Sequence, residues 1–438
     1  MKAAGVYPEG ALNINGFSFF NAVSFQIVLG APVILFAKSL GASSLVLGTM
    51  AALTPLLNIL QLLAARFLHR VGYKRFALAG WGARTFFTLC IATIPLWPGL
   101  SSSTRLWLLL AALFCFNLLR GFSAGAWLPW LTALVPEQVR GRFLSRDNAF
   151  MHVGCLAAMM VSAWVMAGSV EAEEYAAVFA IGLFTALISL WFVRRVPDAQ
   201  SHEDRIRSGI AVPWGAMLRY APFARLLWFT TVYATVIGSL GVFTVEYLVV
   251  REKFGESTIF LLGGLSFVGA LCGLAITAPR LDASGSKPWL RRGLLLMAAT
   301  ILGWLTLASG LLPGWPWFVG LLNFLGGLAG AVFGVASTRI VMGSVPAMGR
   351  NHFFALFTVI SGIGLGGAPI VWGAILDALG PLNIVVGALT LDRYTVYFAA
   401  LLIFAWIDVR LIGALHESAS ADMTMPIATE IRPVTPVE

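Results

Sequence analysis

The chain has 438 residues, of which 59% are apolar and only 11% are charged. Soluble domains contain about 45–50% apolar residues, so this composition excludes a soluble globular protein and requires lipid to face part of the chain. The net charge of +9 would suit a nucleic-acid-binding protein, but the basic residues lie in turns between apolar segments, which argues against that function.

Apolar segments of about 20 residues recur along the sequence, and that length crosses a hydrocarbon layer of about 30 Å. They lack the alternating pattern of a membrane β-strand, and a helix satisfies its own backbone hydrogen bonds in lipid. We therefore predict an all-α polytopic membrane protein with twelve transmembrane helices. The predicted spans are 16–38, 45–67, 76–97, 106–134, 143–168, 175–196, 223–250, 257–278, 290–312, 315–344, 353–378 and 394–414.

The Lys and Arg residues are distributed unequally between alternate turns. Twenty-two of the 29 lie in one set of turns and termini, and five lie in the other set, which also collects acidic residues. Because basic loops stay in the cytoplasm, both termini are predicted to be cytoplasmic. The predicted domains are an N-terminal six-helix bundle, a cytoplasmic linker, a C-terminal six-helix bundle and a disordered cytoplasmic tail, which are residues 1–196, 197–222, 223–415 and 416–438.

Short motifs occur twice, once in each predicted half. The turn after the second span contains Gly72 and Lys74, and the turn after the eighth contains Gly285 and Lys287. Asparagines also occur at matching places in the fourth and tenth spans. Internal repeats of this kind are typical of secondary transporters, whose substrate site lies near the bilayer midplane between the two halves.

The first of these turns resembles the signature of the major facilitator superfamily, Gly-x-Leu-Ala-Asp-Arg-x-Gly-Arg-Lys. It contains Arg70, Gly72 and Lys74 in register and has His69 where the family has Asp, whereas the second turn keeps the acid as Asp282. The resemblance covers nearly the whole chain and implies two pseudo-symmetric halves, with spans 1, 4, 7 and 10 around a cavity and spans 2, 5, 8 and 11 at the moving interface. It also implies gating roles for Arg70, Gly72, Lys74, Asp282, Gly285, Lys287, Arg140 and Arg142.

Arg120 lies near the middle of the fourth span, where a charged side chain costs about 2.5–3.5 kcal/mol and tends to face protein or a wet cavity. Helical spacing predicts that Asn117, Arg120 and Trp127 share one face. Because we expect no acid within spans 1 to 6 to neutralise Arg120, we hypothesise that it binds an anionic or hydroxyl-rich substrate; the alternative is a structural arginine bonded to backbone carbonyls or to Asn117. The predicted substrate-binding residues are Arg120, Asn117, Trp127, Asn21, Phe25 and Asn323.

Other polar residues within the spans are open to more than one interpretation. Glu246, in the outer part of the seventh span, is a candidate for gating or for carrying a proton, and an ion pair with Arg251 or Lys253 is the alternative. Arg84 in the third span is assigned a structural role, with its side chain extending to the cytoplasmic surface. Asn58 in the second span is assigned to helix packing.

The sequence has no phosphate-binding loop, zinc-spaced His pair or serine-hydrolase elbow, so we predict no enzyme activity, cofactor or metal ion. We predict a secondary active or facilitative transporter that moves a sugar, a sugar derivative or an organic anion by alternating access. It would be a monomer in the bacterial inner membrane, with a proton or a counter-substrate open as the coupling partner. The alternatives are a multidrug or metabolite exporter of the same fold and a non-transporting receptor or assembly protein.

Overall fold

The computed structural model describes residues 10–64, 71–97, 99–135, 137–168, 171–198, 214–277, 280, 285–344, 350–387 and 389–415. Of the predicted gating residues, Arg70 and Asp282 lie outside the described residues, as do most of the predicted linker and the predicted tail. Arg140 and Arg142 belong to a described helix, but their side chains are outside the description.

Twelve segments of this part of the chain are long and apolar enough to cross a membrane, as predicted. Spans 1 to 12 are Ala11–Ser39, Ser44–Ala64, Tyr73–Leu96, Ser102–Ala124, Phe143–Val165, Ala172–Arg194, Ala221–Val250, Glu256–Thr277, Ser286–Ala308, Pro316–Val341, Phe353–Ala378 and Arg393–Ala414. Three helices continue beyond their spans, and these are Glu137–Val165, Pro316–Ser344 and Arg350–Ala378. Twelve crossings put both ends of the described chain on one side, which we call the terminal side; the opposite side is the distal side.

Span 1 is interrupted near its middle. It consists of the helices Ala11–Leu29 and Ala31–Ser39, and Gly30 between them has an extended backbone. Pro32 contributes to the break, because it has no N–H to continue the hydrogen-bond ladder of the first helix. Span 1 therefore changes direction inside the membrane layer.

The predicted fourth span, 106–134, is wrong at its end. The helix stops at Ala124, and a separate short helix begins at Trp127 and ends at Leu134. Pro129 has no backbone N–H to donate to the carbonyl of the residue four positions earlier, which weakens the helix ahead of it and favours a break here. Trp127 therefore does not share the helix face that was predicted for it.

The first six and the last six spans form two bundles that meet mainly along two pairs of helices, and span 7 also contacts spans 1 and 2. Span 2 packs against span 11, and span 5 packs against span 8. A Cβ atom at Gly48 would lie only 2.1 Å from the carbonyl oxygen of Pro369, and one at Gly373 would lie 2.5 Å from that of Ser44. Glycine at these two positions lets the halves touch backbone to backbone, as small residues do in membrane helix packing.

A β-hairpin that the sequence analysis did not predict lies between spans 11 and 12 on the distal side. Strand β1, Asn383–Val386, pairs antiparallel with strand β2, Leu389–Asp392. Gly387 in the turn has a φ of 63°, which glycine adopts without strain. The N–H of Thr390 donates to the carbonyl of Ser309 at 2.8 Å, which fixes the hairpin to the turn after span 9.

Candidate functional site

A cavity of about 570 Å³ lies at the seam between the two halves. Residues of spans 1, 2, 5, 7, 8, 10 and 11 line it, and most of them are apolar. Its polar side chains belong to Gln26, Thr54, Asn58, Ser266 and Asn323. Since both halves supply its walls, a movement of one half against the other would change access to this cavity.

The interruption of span 1 lies in the wall of this cavity. Gly30 and Ala31 line it at the point where the helix Ala31–Ser39 begins. The first N–H groups of a helix have no partner within that helix, and they give its N-terminus a partial positive charge. This end of the helix therefore favours a hydrogen-bond acceptor or an anion in the cavity.

Arg120 lies directly behind the cavity wall. Its Nη1 donates to Oδ1 of Asn58 at 3.0 Å, and its guanidinium lies over the ring of Phe25 at 4.6 Å from the centroid. Asn58 and Phe25 both line the cavity. The sequence analysis assigned Asn58 to helix packing, and the residue also carries the contact between Arg120 and the cavity wall.

Arg84 is a second arginine inside the same half. Its Nη2 donates to Oδ1 of Asn21, and its guanidinium lies 5.6 Å from the ring centroids of both Trp81 and Phe116. Only 8% of the residue is exposed. The expectation that Arg84 extends to the membrane surface is therefore wrong, because Asn21 and two aromatic rings hold it inside the bundle.

Neither arginine forms an ion pair with a described acidic residue. The expectation that no acid lies within spans 1 to 6 is wrong, because Asp147 lies at the start of span 5. Asp147 forms no ion pair with any described side chain. Neither guanidinium group has a carboxylate partner among the described residues, so no described acid neutralises the charge of Arg120 behind the cavity wall.

The family model of the Major Facilitator Superfamily matches residues 15–322, which is more than half of the chain. The chain belongs to this superfamily. No curated protein matches it significantly.

Solved transporters of the superfamily have the same fold. The inward-open xylose transporter XylE from E. coli superimposes with a TM-score of 0.70 at 13% identity, covering 94% of this chain and 97% of XylE. The nucleoside transporter NupG gives a TM-score of 0.69 at 13% identity, covering 93% of this chain and 100% of NupG. The TM-scores show that this superfamily member shares its fold with these transporters. The sequence identities are too low to indicate its substrate.

On the distal side of this superfamily member, Glu246 of span 7 joins the two halves. Its Oε1 accepts from Nζ of Lys38 and from Oγ of Ser44, both at 2.8 Å, and lies 3.7 Å from a guanidinium nitrogen of Arg393. The side chain of Glu246 is fully buried. The predicted alternative partners of Glu246 are wrong, because Lys38 of span 1 approaches it across the seam and Arg251 pairs with Asp392 instead, at 3.4 Å.

Asp377 of span 11 forms a second distal contact between the halves. Its two carboxylate oxygens accept from the backbone N–H groups of Ser44 and Leu45, each at 2.9 Å. Ser44 is the first residue of the helix in span 2, so a carboxylate of one half caps a helix N-terminus of the other. We refer to Lys38, Ser44, Glu246 and Asp377 as the distal latch.

Of these four residues, the sequence analysis selected only Glu246. Lys38 and Asp377 were counted only as charges of the outer turns, and Ser44 was not considered. In the sequence, these residues share only one feature, which is that each is a polar residue at the distal end of a span. That feature does not indicate which other span the residue contacts.

The other predicted substrate residues lie in different surroundings. Asn117 is buried, accepts from Oγ1 of Thr54 at 2.8 Å and donates to the carbonyl of Leu113 at 2.9 Å. Trp127 packs against the rings of Phe17, Trp81 and Trp130. Of the repeated asparagines, only Asn323 lines the cavity, and its Nδ2 donates to the carbonyl of Val319 at 3.0 Å.

The repeated turns have the same backbone geometry in both halves. Gly72 has a φ of 85° and Gly285 a φ of 77°, and each immediately precedes a helix, that of span 3 and that of span 9. Lys74 and Lys287 each lie in the first turn of that helix. A left-handed backbone is accessible to glycine without strain, which explains why both copies have glycine at this position.

Proposed function

We propose that this superfamily member transports a small anionic or hydroxyl-rich solute, such as an organic anion, a sugar or a sugar derivative, by alternating access and without ATP. The solute would occupy the cavity at the seam. The observation that carries the proposal is the pair of arginines, Arg84 and Arg120, which lack an acidic partner among the described residues.

The cavity has a size and lining that suit such a solute. Its volume of about 570 Å³ falls within the range of about 300–1,000 Å³ in which proteins bind small molecules. Apolar walls would exclude water from the solute, while Gln26, Asn58 and Asn323 would orient it. A lipophilic cation would meet the repulsion of the two arginines, which argues against a drug exporter.

Alternating access would proceed through the distal latch. In the present conformation, Glu246 and Asp377 bind span 1 and span 2 across the seam. Opening towards the distal side requires these contacts to break, and solute binding in the cavity would favour the corresponding movement of the halves. With the terminal side in the cytoplasm, this conformation is closed towards the outside.

The proposal is tested in two steps. The purified protein is screened by thermal shift against organic anions, phosphorylated and neutral sugars, nucleosides and lipophilic cations. The solute that stabilises it most is then measured for flux in proteoliposomes. We expect an anionic or hydroxyl-rich solute to be selected, and Arg120→Gln to reduce its flux at least about tenfold, since a hydrogen bond to a charged group contributes about 1.5–3 kcal/mol.

Arg219→Gln is the matched control, because Arg219 is exposed on the terminal side and its loss removes the same charge away from the cavity. Equal flux in Arg120→Gln and wild-type protein would remove Arg120 from the site. Selective stabilisation and flux of lipophilic cations would favour the exporter. Specific solute binding without flux in sealed vesicles would favour the receptor.

A further inference from the structure

A second cavity, of about 810 Å³, opens between spans 9 and 12 at their terminal ends. We call it the basic groove. Four cationic side chains line it, those of Lys287, Arg291, Arg292 and Arg410, and no acidic residue is among its lining residues. It is separate from the cavity at the seam, because spans 9 and 12 contribute nothing to the lining of that cavity.

The cations are held on both walls of the basic groove. Arg291 and Arg292 lie in the first two turns of span 9, and Arg410 lies in the last turn of the helix of span 12. The guanidinium of Arg292 lies over the ring of Trp289 at 4.8 Å from the centroid. Arg291 and Arg410 are exposed, so their guanidinium groups are available to an anion.

An exposed apolar stripe continues from the groove towards the distal side. On span 9, Leu295 and Leu302 follow Arg291 at helical spacing, with 38% and 49% of each exposed. On span 12, Trp406 and Ile403 precede Arg410 at helical spacing and are 51% and 63% exposed. Residues at such intervals share one helix face. The cations of the basic groove and the apolar stripe therefore lie in line along the same two helices.

We propose that the basic groove binds an anionic phospholipid of the cytoplasmic leaflet, with its phosphate at Arg291 and Arg410 and its acyl chains along the apolar stripe. Free phosphate would use the cations but would gain nothing from the stripe. A membrane-facing cluster of basic residues on the cytoplasmic side of a helix pair suits such a headgroup. The inference is independent of the transported solute.

The test is native mass spectrometry of the delipidated protein with cardiolipin, phosphatidylglycerol or phosphatidylcholine added at equal concentration. We expect the two anionic lipids to bind and phosphatidylcholine to bind much less. Arg291→Gln with Arg410→Gln should weaken cardiolipin binding about thirtyfold, since each basic residue near an anionic surface contributes a factor of about five.

Two controls separate the groove from general surface charge and from misfolding. Arg219→Gln with Arg225→Gln removes the same charge from exposed residues on the terminal side and should leave cardiolipin binding unchanged. Arg291→Lys with Arg410→Lys keeps the charge and should retain most of the binding. Equal binding of all three lipids, an equal loss in both Gln double variants, or displacement of cardiolipin by millimolar inorganic phosphate would overturn the proposal.

Discussion

At the scale of residues, two arginines have no acidic partner among the described residues, and one buried glutamate has its cationic partner across the seam. Arg84 and Arg120 are bonded to the neutral amides of Asn21 and Asn58. An amide accepts a hydrogen bond without neutralising the charge, so the positive potential is retained beside the cavity. Glu246 is the reverse case, since its cationic partner Lys38 belongs to the other half.

Glu246→Gln should loosen the distal latch. The change removes the charge that attracts Lys38 while keeping the size of the side chain, and a hydrogen bond to a charged group contributes about 1.5–3 kcal/mol. We expect a cysteine at Leu45 to react roughly tenfold faster with a membrane-impermeant maleimide in this variant. Glu171→Gln is the control, because Glu171 caps span 6 within one half. Unchanged labelling in Glu246→Gln would show that Glu246 does not keep the distal side closed.

The sequence predicts single charged residues better than it predicts their partners. Arg120 was identified because a charge inside an apolar segment is expensive. The bond from Arg120 to Asn58 and that from Lys38 to Glu246 could not be foreseen, since they depend on how each helix is rotated about its axis. Spans that are apolar on nearly all faces carry little information about that rotation.

At the scale of elements, the contact between spans 2 and 11 joins the two halves most closely. Gly48→Ala would place a methyl group against the carbonyl of Pro369, at 2.1 Å in the present geometry. Such overpacking costs about 1–3 kcal/mol, so we expect a lower Tm of the purified protein and slower solute flux. Gly367→Ala is the matched control on span 11, because no atom lies within 4 Å of its Cβ position. An equal Tm for both variants would contradict close packing at Gly48.

The boundaries of the elements show where hydropathy stops being informative. The number of spans was predicted correctly because each has an apolar segment of membrane length. The break at Gly30 and the end of span 4 were missed, since an apolar segment reads the same whether its helix is continuous or broken. The hairpin between spans 11 and 12 was missed because its short apolar strands lie between two long apolar helices.

At the scale of the whole molecule, the two halves repeat the same plan but contribute different chemistry to it. The turns at Gly72 and Gly285 share one geometry. Arg84 and Arg120, however, belong to the first half, and the carboxylates of the distal latch, Glu246 and Asp377, belong to the second. The repeat therefore sets the architecture, and we infer that the differences between the copies determine what the seam can bind and how it closes.

A cross-link across the distal seam tests the central claim, which is that solute passes between the halves as the latch opens. Leu45→Cys with Asp377→Cys puts one thiol on each side of the seam, on residues that touch where the N–H of Leu45 donates to the carboxylate of Asp377 at 2.9 Å, in a protein whose four native cysteines are replaced by serine. Solute flux in proteoliposomes is measured before oxidation, after it and after reduction. We expect oxidation to abolish the flux of the double variant and reduction to restore it. Oxidation should not change the flux of either single cysteine variant. Full flux through completely cross-linked protein would contradict the account.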